Sequence, residues 1–259
     1  MKRAIAILGG CLFAITVSAQ PAGERIRVSD DISVVKLTDN SYQHISVTEI
    51  KGFGRVSSNG VIFVDGGEAI LLDTPVTNEQ TATLIDWIED SLPAKVVAFV
   101  PNHWHEDCMG GIEAVHAKGI RSYAGRETIR IAGENGLPQP QHGFGKSKKI
   151  KVGKSYVVCY YPGPAHARDN IVVWIPSEQV LFAGCMVKSA KDKGLGSTAD
   201  ADIGQWPATL ERVVKKFPDA EVVVPGHGSA GDIQLILHTR SLCLNHMREK
   251  QLAKPGEPK

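Results

Sequence analysis

The sequence is poor in cysteine. It has five in 259 residues, too few for a disulfide scaffold and odd in number. It also lacks an excess of charge of either sign: 29 Lys and Arg face 28 Asp and Glu, for a net +1. A near-neutral chain sets up no field for nucleic acid and no polybasic membrane patch, so neither is expected as a partner. No apolar run reaches the about 20 residues of a comfortable membrane span. No segment is of low complexity, and no linker is rich in Pro, Gly or Ser. The hydrophobic fraction of 42% and charged fraction of 22% exclude disorder, a collagen-like chain and a multispan membrane protein. The length suffices for one large domain or two small ones, with a sizeable core.

The longest apolar stretch, Ala4 to Val17, follows Lys2 and Arg3 and leads into Val17-Ser18-Ala19. A basic start, an apolar middle and small residues before a cut describe a secretory leader. Cleavage is predicted between Ala19 and Gln20, with export to a bacterial periplasm. Leu8-Gly9-Gly10-Cys11 loosely fits a lipoprotein cut, but the apolar run continues past Cys11. Losing residues 1–19 removes Lys2, Arg3 and Cys11, so the net charge becomes −1 and four cysteines remain.

The body reads as strands and helices in two blocks. Short apolar runs predict strands at Ile32–Leu37, Tyr42–Val47, Val61–Val64 and Ala69–Leu72. Thr77-Asn78-Glu79-Gln80 has the form of a capping box. It opens a helix with Leu84, Trp87 and Ile88 on adjoining positions, closed by Pro93. The buried-strand run Val96–Val100 follows. The second block predicts strands at Val157–Tyr161, Ile171–Ile175, Val180–Ala183 and Val222–Val224. Trp206, Leu210, Val213, Val214 and Phe217 fall on one helix face, and Ile233 to Met247 suggests a last amphipathic helix. The polar end, Lys254 to Lys259, reads as frayed. Grouped strands with helices between and after them fit an α/β fold whose sheets carry helices on their outer faces.

Chemistry concentrates just past the buried strands. Asn102-His103-Trp104-His105-Glu106-Asp107 follows Val100 directly. On an extended chain, alternate residues project to one side, so His103 and His105 point together, with Asp107 two further on. Imidazoles and a carboxylate suit a borderline metal such as Zn²⁺. His166, Cys185 and His227 occupy equivalent places after later strands. Strand ends are where an α/β protein gathers ligands and catalytic groups. Gly163, Gly184, Gly226 and Gly228 suit a backbone turning closely around an ion.

These residues carry a resemblance. His103-Trp104-His105-Glu106-Asp107-Cys108-Met109-Gly110-Gly111, His166-Ala167-Arg168-Asp169-Asn170, Gly184-Cys185-Met186-Val187-Lys188 and Pro225-Gly226-His227-Gly228 resemble the metallo-β-lactamases of class B, subclass one. Similarity is greatest to the CcrA-type enzymes and extends over nearly all of the chain after the leader. The resemblance implies an αββα sandwich formed by residues 20–259 as a single domain, a monomer, and metals at one sheet edge. It implies two Zn²⁺ ions per chain, one on His103, His105 and His166, the other on Asp107, Cys185 and His227. It implies hydrolysis of the β-lactam amide of penicillins, cephalosporins and carbapenems by a zinc-bound hydroxide, conferring antibiotic resistance. Two zincs, two anionic ligands and one hydroxide leave the site near +1, which suits the carboxylate of a β-lactam.

Further roles follow from the same resemblance. Lys188 matches the lysine that binds the substrate carboxylate, and Asp107 orients the nucleophile or relays a proton. Ser197 stands where the family often carries an Asn that helps hold the lactam carbonyl; being shorter, it works through a bridging water. Phe53 replaces a common Trp at the tip of a hairpin, Glu49 to Gly60, that covers the substrate. Asp73 matches a carboxylate near the metal loop that orients the ligands; on the residues alone it equally fits a turn cap. His44, His116, His142, His238 and His246 match no role and are expected to be structural or at the surface. Cys108, Cys159 and Cys243 read as packed thiols, and no disulfide is expected.

Two other functions are compatible with metal-binding residues. A thioesterase or lactonase of the same superfamily typically continues as His-x-His-x-Asp-His and uses a bridging carboxylate; here Cys108 follows Asp107, and Cys185 takes the place of that carboxylate. A non-catalytic periplasmic zinc-binding protein would close its site with four protein ligands, whereas three per metal leave room for water and substrate.

Overall fold

Strands dominate the first third of the chain because its apolar runs are short, rich in Val and Ile, and cut by turn residues. A computed structural model describes residues 23–50 and 54–252. The expected leader with Cys11, Phe53 at the hairpin tip, and the polar end from Lys254 lie outside the described residues. Strands β1 (Arg25–Arg27), β2 (Ile32–Lys36), β3 (Ser41–Ile50), β4 (Gly54–Asp65) and β5 (Glu68–Leu72) form an antiparallel meander. Onto it β6 (Lys95–Val100), β7 (Arg121–Gly125) and β8 (His142–Phe144) add in parallel. The second sheet is built from β9 (Ser147–Val152), β10 (Ser155–Tyr160), β11 (Val172–Ile175), β12 (Val180–Gly184) and β13 (Val222–Pro225). Its spatial order is β13-β12-β11-β10-β9.

Three apolar clusters hold the layers together. Between the sheets, Phe63, Ile70, Leu72 and Val100 meet Val157, Val173, Phe182 and Val224. Outside the first sheet, helices α1 (Asn78–Ser91) and α3 (Ile112–Ala117) set Leu84, Ile85, Ile88 and Val115 against Ile62, Leu71 and Phe99. Outside the second, α5 (Trp206–Lys216) and α6 (Gln234–Leu252) set Trp206, Leu210, Val213 and Ile236 against Val172, Leu181 and Val223. Each such fully buried side chain contributes about 1.5–3 kcal/mol against the entropy of ordering it. The order helix, sheet, sheet, helix is the expected αββα sandwich.

The predicted α1 cap is half formed. Thr77 Oγ1 accepts from the Gln80 backbone N–H at 3.2 Å. The Gln80 side chain does not return to Thr77; it donates to Val47 O and accepts from Thr48 Oγ1, each at 2.9 Å, and so ties the helix to β3. Strand β4 starts seven residues before the predicted Val61, because Gly54–Gly60 pairs with β3 as the second arm of the hairpin. The short helix α4 (Arg126–Glu134) carries only Thr128, Ile131 and Ala132 inward, too few for its period to stand out in the sequence.

His44 on β3 is structural, as expected, and carries a consequence. It is buried, and its Nε2–H donates to Asp73 O at 3.1 Å. Burial lowers its pKa from 6.5 to about 4. The unfolded chain therefore binds this proton at a higher pH than the folded one, and stability falls as pH drops through the interval between the two values. The loss from this group is complete below the folded pKa, at about 3 kcal/mol, and absent above the unfolded one. Urea unfolding of His44→Gln beside the parent across this range should show a shallower acid loss in the variant by that amount.

Candidate metal centre

Past β6 the chain leaves the sheet through Pro101 and Asn102, and three imidazoles converge. His103, His105 and His166 have ring centroids 4.4, 5.0 and 5.2 Å apart and meet nearly edge to face. Hydrogen bonds fix which nitrogen each turns inward. Asn102 Nδ2 donates to Ile171 O, so its Oδ1 accepts from His103 Nδ1–H at 3.2 Å. His105 Nε2–H donates to Asp200 Oδ2 at 2.8 Å. His103 Nε2 and His105 Nδ1 are thus left bare, facing each other at 2.8 Å. Two bare imidazole nitrogens so close need a cation between them. A proton is a poor one, since burial pushes His103 down to about 3 and holds His166 well below the usual imidazole range. A metal ion fits.

The second cluster corrects the expected alternation. Asp107 is not a third extended residue. It lies in the first turn of α2 (Glu106–Met109) and faces Cys185 and His227. Asp107 Oδ2, Cys185 Sγ and His227 Nε2 form a triangle with sides of 3.3, 3.3 and 3.4 Å. Tetrahedral zinc, with bonds of about 2.0–2.3 Å, sets its ligand atoms roughly 3.3–3.6 Å apart, so the triangle has the right size. His227 Nδ1–H donates to Ser57 O at 2.7 Å, which frees Nε2 for the triangle.

The charges in the triangle also call for a dication. A hydrogen bond from the Cys108 thiol holds Cys185 down at about 6 against the effect of burial. Burial opposes ionisation of Asp107, yet the His227 hydrogen bond and the surrounding imidazoles hold its carboxyl well below the usual range. Burial likewise opposes a charged His227, and the Cys185 thiolate and Asp107 outweigh it. A proton on His227 stands where a metal would neutralise the two anions.

Several residues shape the centre from behind. Asp73, with φ of +59°, accepts the Asn102 N–H and so fixes the exit of β6; its carboxylate supports the metal loop. Cys108 is not a bystander. Its Sγ lies 3.2 Å from His103 Nδ1, and burial keeps it a neutral thiol that can donate to Cys185. Cys159 and Cys243 are buried away from the centre, and all four described cysteines are free. Lys188 is buried rather than solvated, with Nζ 5.7 Å over the Trp206 ring. Ser197 is exposed on the loop beside it, where a Cβ on Gly196 would lie 3.8 Å from Lys188 Nζ.

Asp200 was not singled out by the sequence, and Asn102 stood in the histidine motif without a role. Asp200 sits 95 residues from the histidine it orients, so no local spacing marks it. Outer partners of this kind typically raise metal affinity by about 10–100-fold. Asp200→Ala should weaken one metal site by that range and leave the other unchanged, as read by competition with a chromophoric chelator.

An αββα sandwich with two adjoining clusters of imidazole, thiolate and carboxylate past its strand ends defines a two-metal protein. Residues 53–227 match the family model described as the metallo-β-lactamase superfamily. The chain is 47% identical over 240 residues to the metallo-β-lactamase type 2 of Bacteroides fragilis, covering 93% of this chain and 95% of the relative. It is 33% identical over 255 residues to the type 2 enzyme of Bacillus cereus, covering 93% and 99%. Among solved structures, VMB-1 superposes with a TM-score of 0.80 at 38% identity, covering 85% of this chain and 99% of that one. The DIM-1 metallo-β-lactamase exposed to ceftazidime superposes with a TM-score of 0.80 at 35% identity, covering 83% and 98%. The chain belongs to the metallo-β-lactamase superfamily.

Proposed function

We infer that the protein is a zinc-dependent β-lactamase that hydrolyses the amide bond of β-lactam antibiotics and so confers resistance to them. The observation that carries this reading is the pair of adjoining donor triads, each with three protein ligands. His103, His105 and His166 would hold one zinc ion, and Asp107, Cys185 and His227 the other. Bound zinc supplies Lewis acidity that makes a hydroxide nucleophile available near neutral pH without a protein base.

The chain's own residues do the rest. Lys188, buried beside Trp206, offers an ammonium to the substrate carboxylate and so sets the distance of the lactam ring from the donors. Ser197, on the neighbouring loop, aids the carbonyl oxygen through a bridging water. Asp107 turns Oδ2 toward Cys185 and His227. Its other oxygen can orient the attacking group, or take the proton that group gives up and relay it to the departing nitrogen. Phe53 supplies an apolar contact over the substrate. Because no serine nucleophile is involved, serine-directed inhibitors should fail.

The same reading takes residues 1–19 as a secretory leader, residues 20–259 as one domain, and the periplasm as the working compartment of a monomer. Among the described residues no helix is long and apolar enough to cross a membrane. The decisive measurement is hydrolysis of a chromogenic cephalosporin, abolished by a chelator and restored by zinc. Stoichiometric zinc binding with no hydrolysis of any penicillin, cephalosporin or carbapenem would overturn the reading.

A further inference from the structure

The near-zero net charge conceals a local excess that folding assembles. From Gly145 to Lys154 the sequence carries five lysines and no acidic residue. This segment forms β9, the edge of the second sheet opposite β13. Ile150 and Val152 point into the inter-sheet core, so Lys149 and Lys151 take the outer face. The register sets Lys151 beside Tyr156 and Ser147 beside Tyr160 on β10.

Three ammonium groups gather over the tyrosine rings at this edge. Lys149 Nζ lies 4.4 Å from the Tyr156 ring centroid. Lys146 Nζ lies 5.2 Å from the rings of both Tyr160 and Tyr161. Lys216 Nζ, from the last turn of α5, lies 5.8 Å from the Tyr160 ring. Lys151, opposite Tyr156 in the register, adds a fourth lysine to the same face. None of the four has a carboxylate within 4.0 Å among the described residues. Tyr156 remains 40% exposed.

Lysines on an edge strand discourage strand addition, which accounts for Lys149 and Lys151. It does not account for Lys146 and Lys216, which lie outside β9 and close over the same rings. Lys216 also suits the C-terminal end of a helix, but Lys215 serves that end as well. A merely solvated face mixes and pairs charges of both signs; here the nearest acidic side chains, Asp65 and Glu68, accept from backbone N–H groups of the β9–β10 turn and leave the lysines unpaired beside amphipathic rings.

We propose that this face docks the protein reversibly onto an anionic lipid surface. Lysine ammonium groups meet the lipid phosphates, and the tyrosines sit at headgroup level, where such rings concentrate. A sheet edge with lysines from a strand, a loop and a helix suits an extended anionic surface. His227, which follows β13, lies at the opposite edge of this sheet from the docked strand. Net charge is a sum, so a chain near neutrality can still gather lysines on one face when it folds.

The test is co-sedimentation of the zinc-loaded protein with vesicles of phosphatidylcholine alone or rich in phosphatidylglycerol. Binding is expected only to the anionic vesicles, with release as added salt shortens the screening length from about 10 Å at 0.1 M to about 3 Å at 1 M. K149Q/K151Q should bind about 25-fold more weakly, at about fivefold per lysine, with cephalosporin hydrolysis unchanged as the check on folding. K95Q/K250Q alters two exposed lysines elsewhere by the same net charge and should bind like the parent. Absence of binding, equal binding to neutral vesicles, an equal loss in K95Q/K250Q, or capture by soluble polyglutamate but not by vesicles would each overturn the proposal.

Discussion

Cys185→Ala lowers β-lactam hydrolysis by more than about 100-fold, because loss of a direct ligand exceeds the 10–100-fold typical of outer partners. The substitution removes one corner of the triangle formed with Asp107 Oδ2 and His227 Nε2. Two ligands remain, and one of the two negative charges that call for a dication is gone. Metal analysis after dialysis should fall from two zinc ions per chain toward one. The metal-free protein should not lose stability in proportion. The side chain removed is small, and without a metal the attraction of the Cys185 thiolate to the protonated His227 is offset in part by its repulsion from the Asp107 carboxylate. A large loss of zinc and activity with a small change in metal-free unfolding is therefore the expected signature. Peroxide treatment of the metal-free parent should act in the same direction, since an oxidised sulfur no longer offers a thiolate.

Gly226→Ala has the second large effect, and it works through the backbone. A Cβ at this position would fall on Cys185 Sγ and within 2.6 Å of Cys185 N and 2.8 Å of Cys185 Cα. The sulfur can swing away, but the backbone atoms cannot. Nor can the Gly226 loop retreat, because the first sheet holds it. Asn59 N–H donates to Gly226 O at 2.8 Å, and Asn59 Nδ2 donates to Pro225 O at 2.9 Å. The variant must part β12 from β13 near Gly184 and Pro225, where they pair, and this moves Cys185 and His227 relative to each other. Forced overpacking of this kind costs about 1–3 kcal/mol, and the second zinc site should weaken as much as in Cys185→Ala. Thermal unfolding with zinc titration checks both effects. Gly194→Ala, with nothing within 4 Å of its Cβ, is the neutral control.

The main elements were legible because burial follows a short period along the chain. Val96–Val100, Val180–Ala183 and Val222–Val224 could be read as strands from continuous apolar runs, and α5 from the spacing of Trp206, Leu210, Val213 and Phe217. Strand β9 was not legible, since only Ile150 and Val152 of its six residues are buried. The metal donors could be named from their chemistry and their places after strands. Their grouping could not be derived from spacing: alternation set Asp107 beside His103 and His105, and only the resemblance moved it to Cys185 and His227.

The sequence by itself determined which side chains can bind metal, that they follow buried strands, and which runs become sheets and helices. These properties depend on residue type and on neighbours a few positions away. The tertiary structure alone decided how the donors are held. Asp107 meets Cys185 across 78 residues, Cys185 meets His227 across 42, and Asp200 reaches His105 across 95. It also decided that Cys108 supports a thiolate, that Lys188 is buried, and that lysines from β9, the loop before it and the end of α5 share one face. Such contacts arise from the stacking of two sheets, and no local period in the chain records which strand ends will lie side by side.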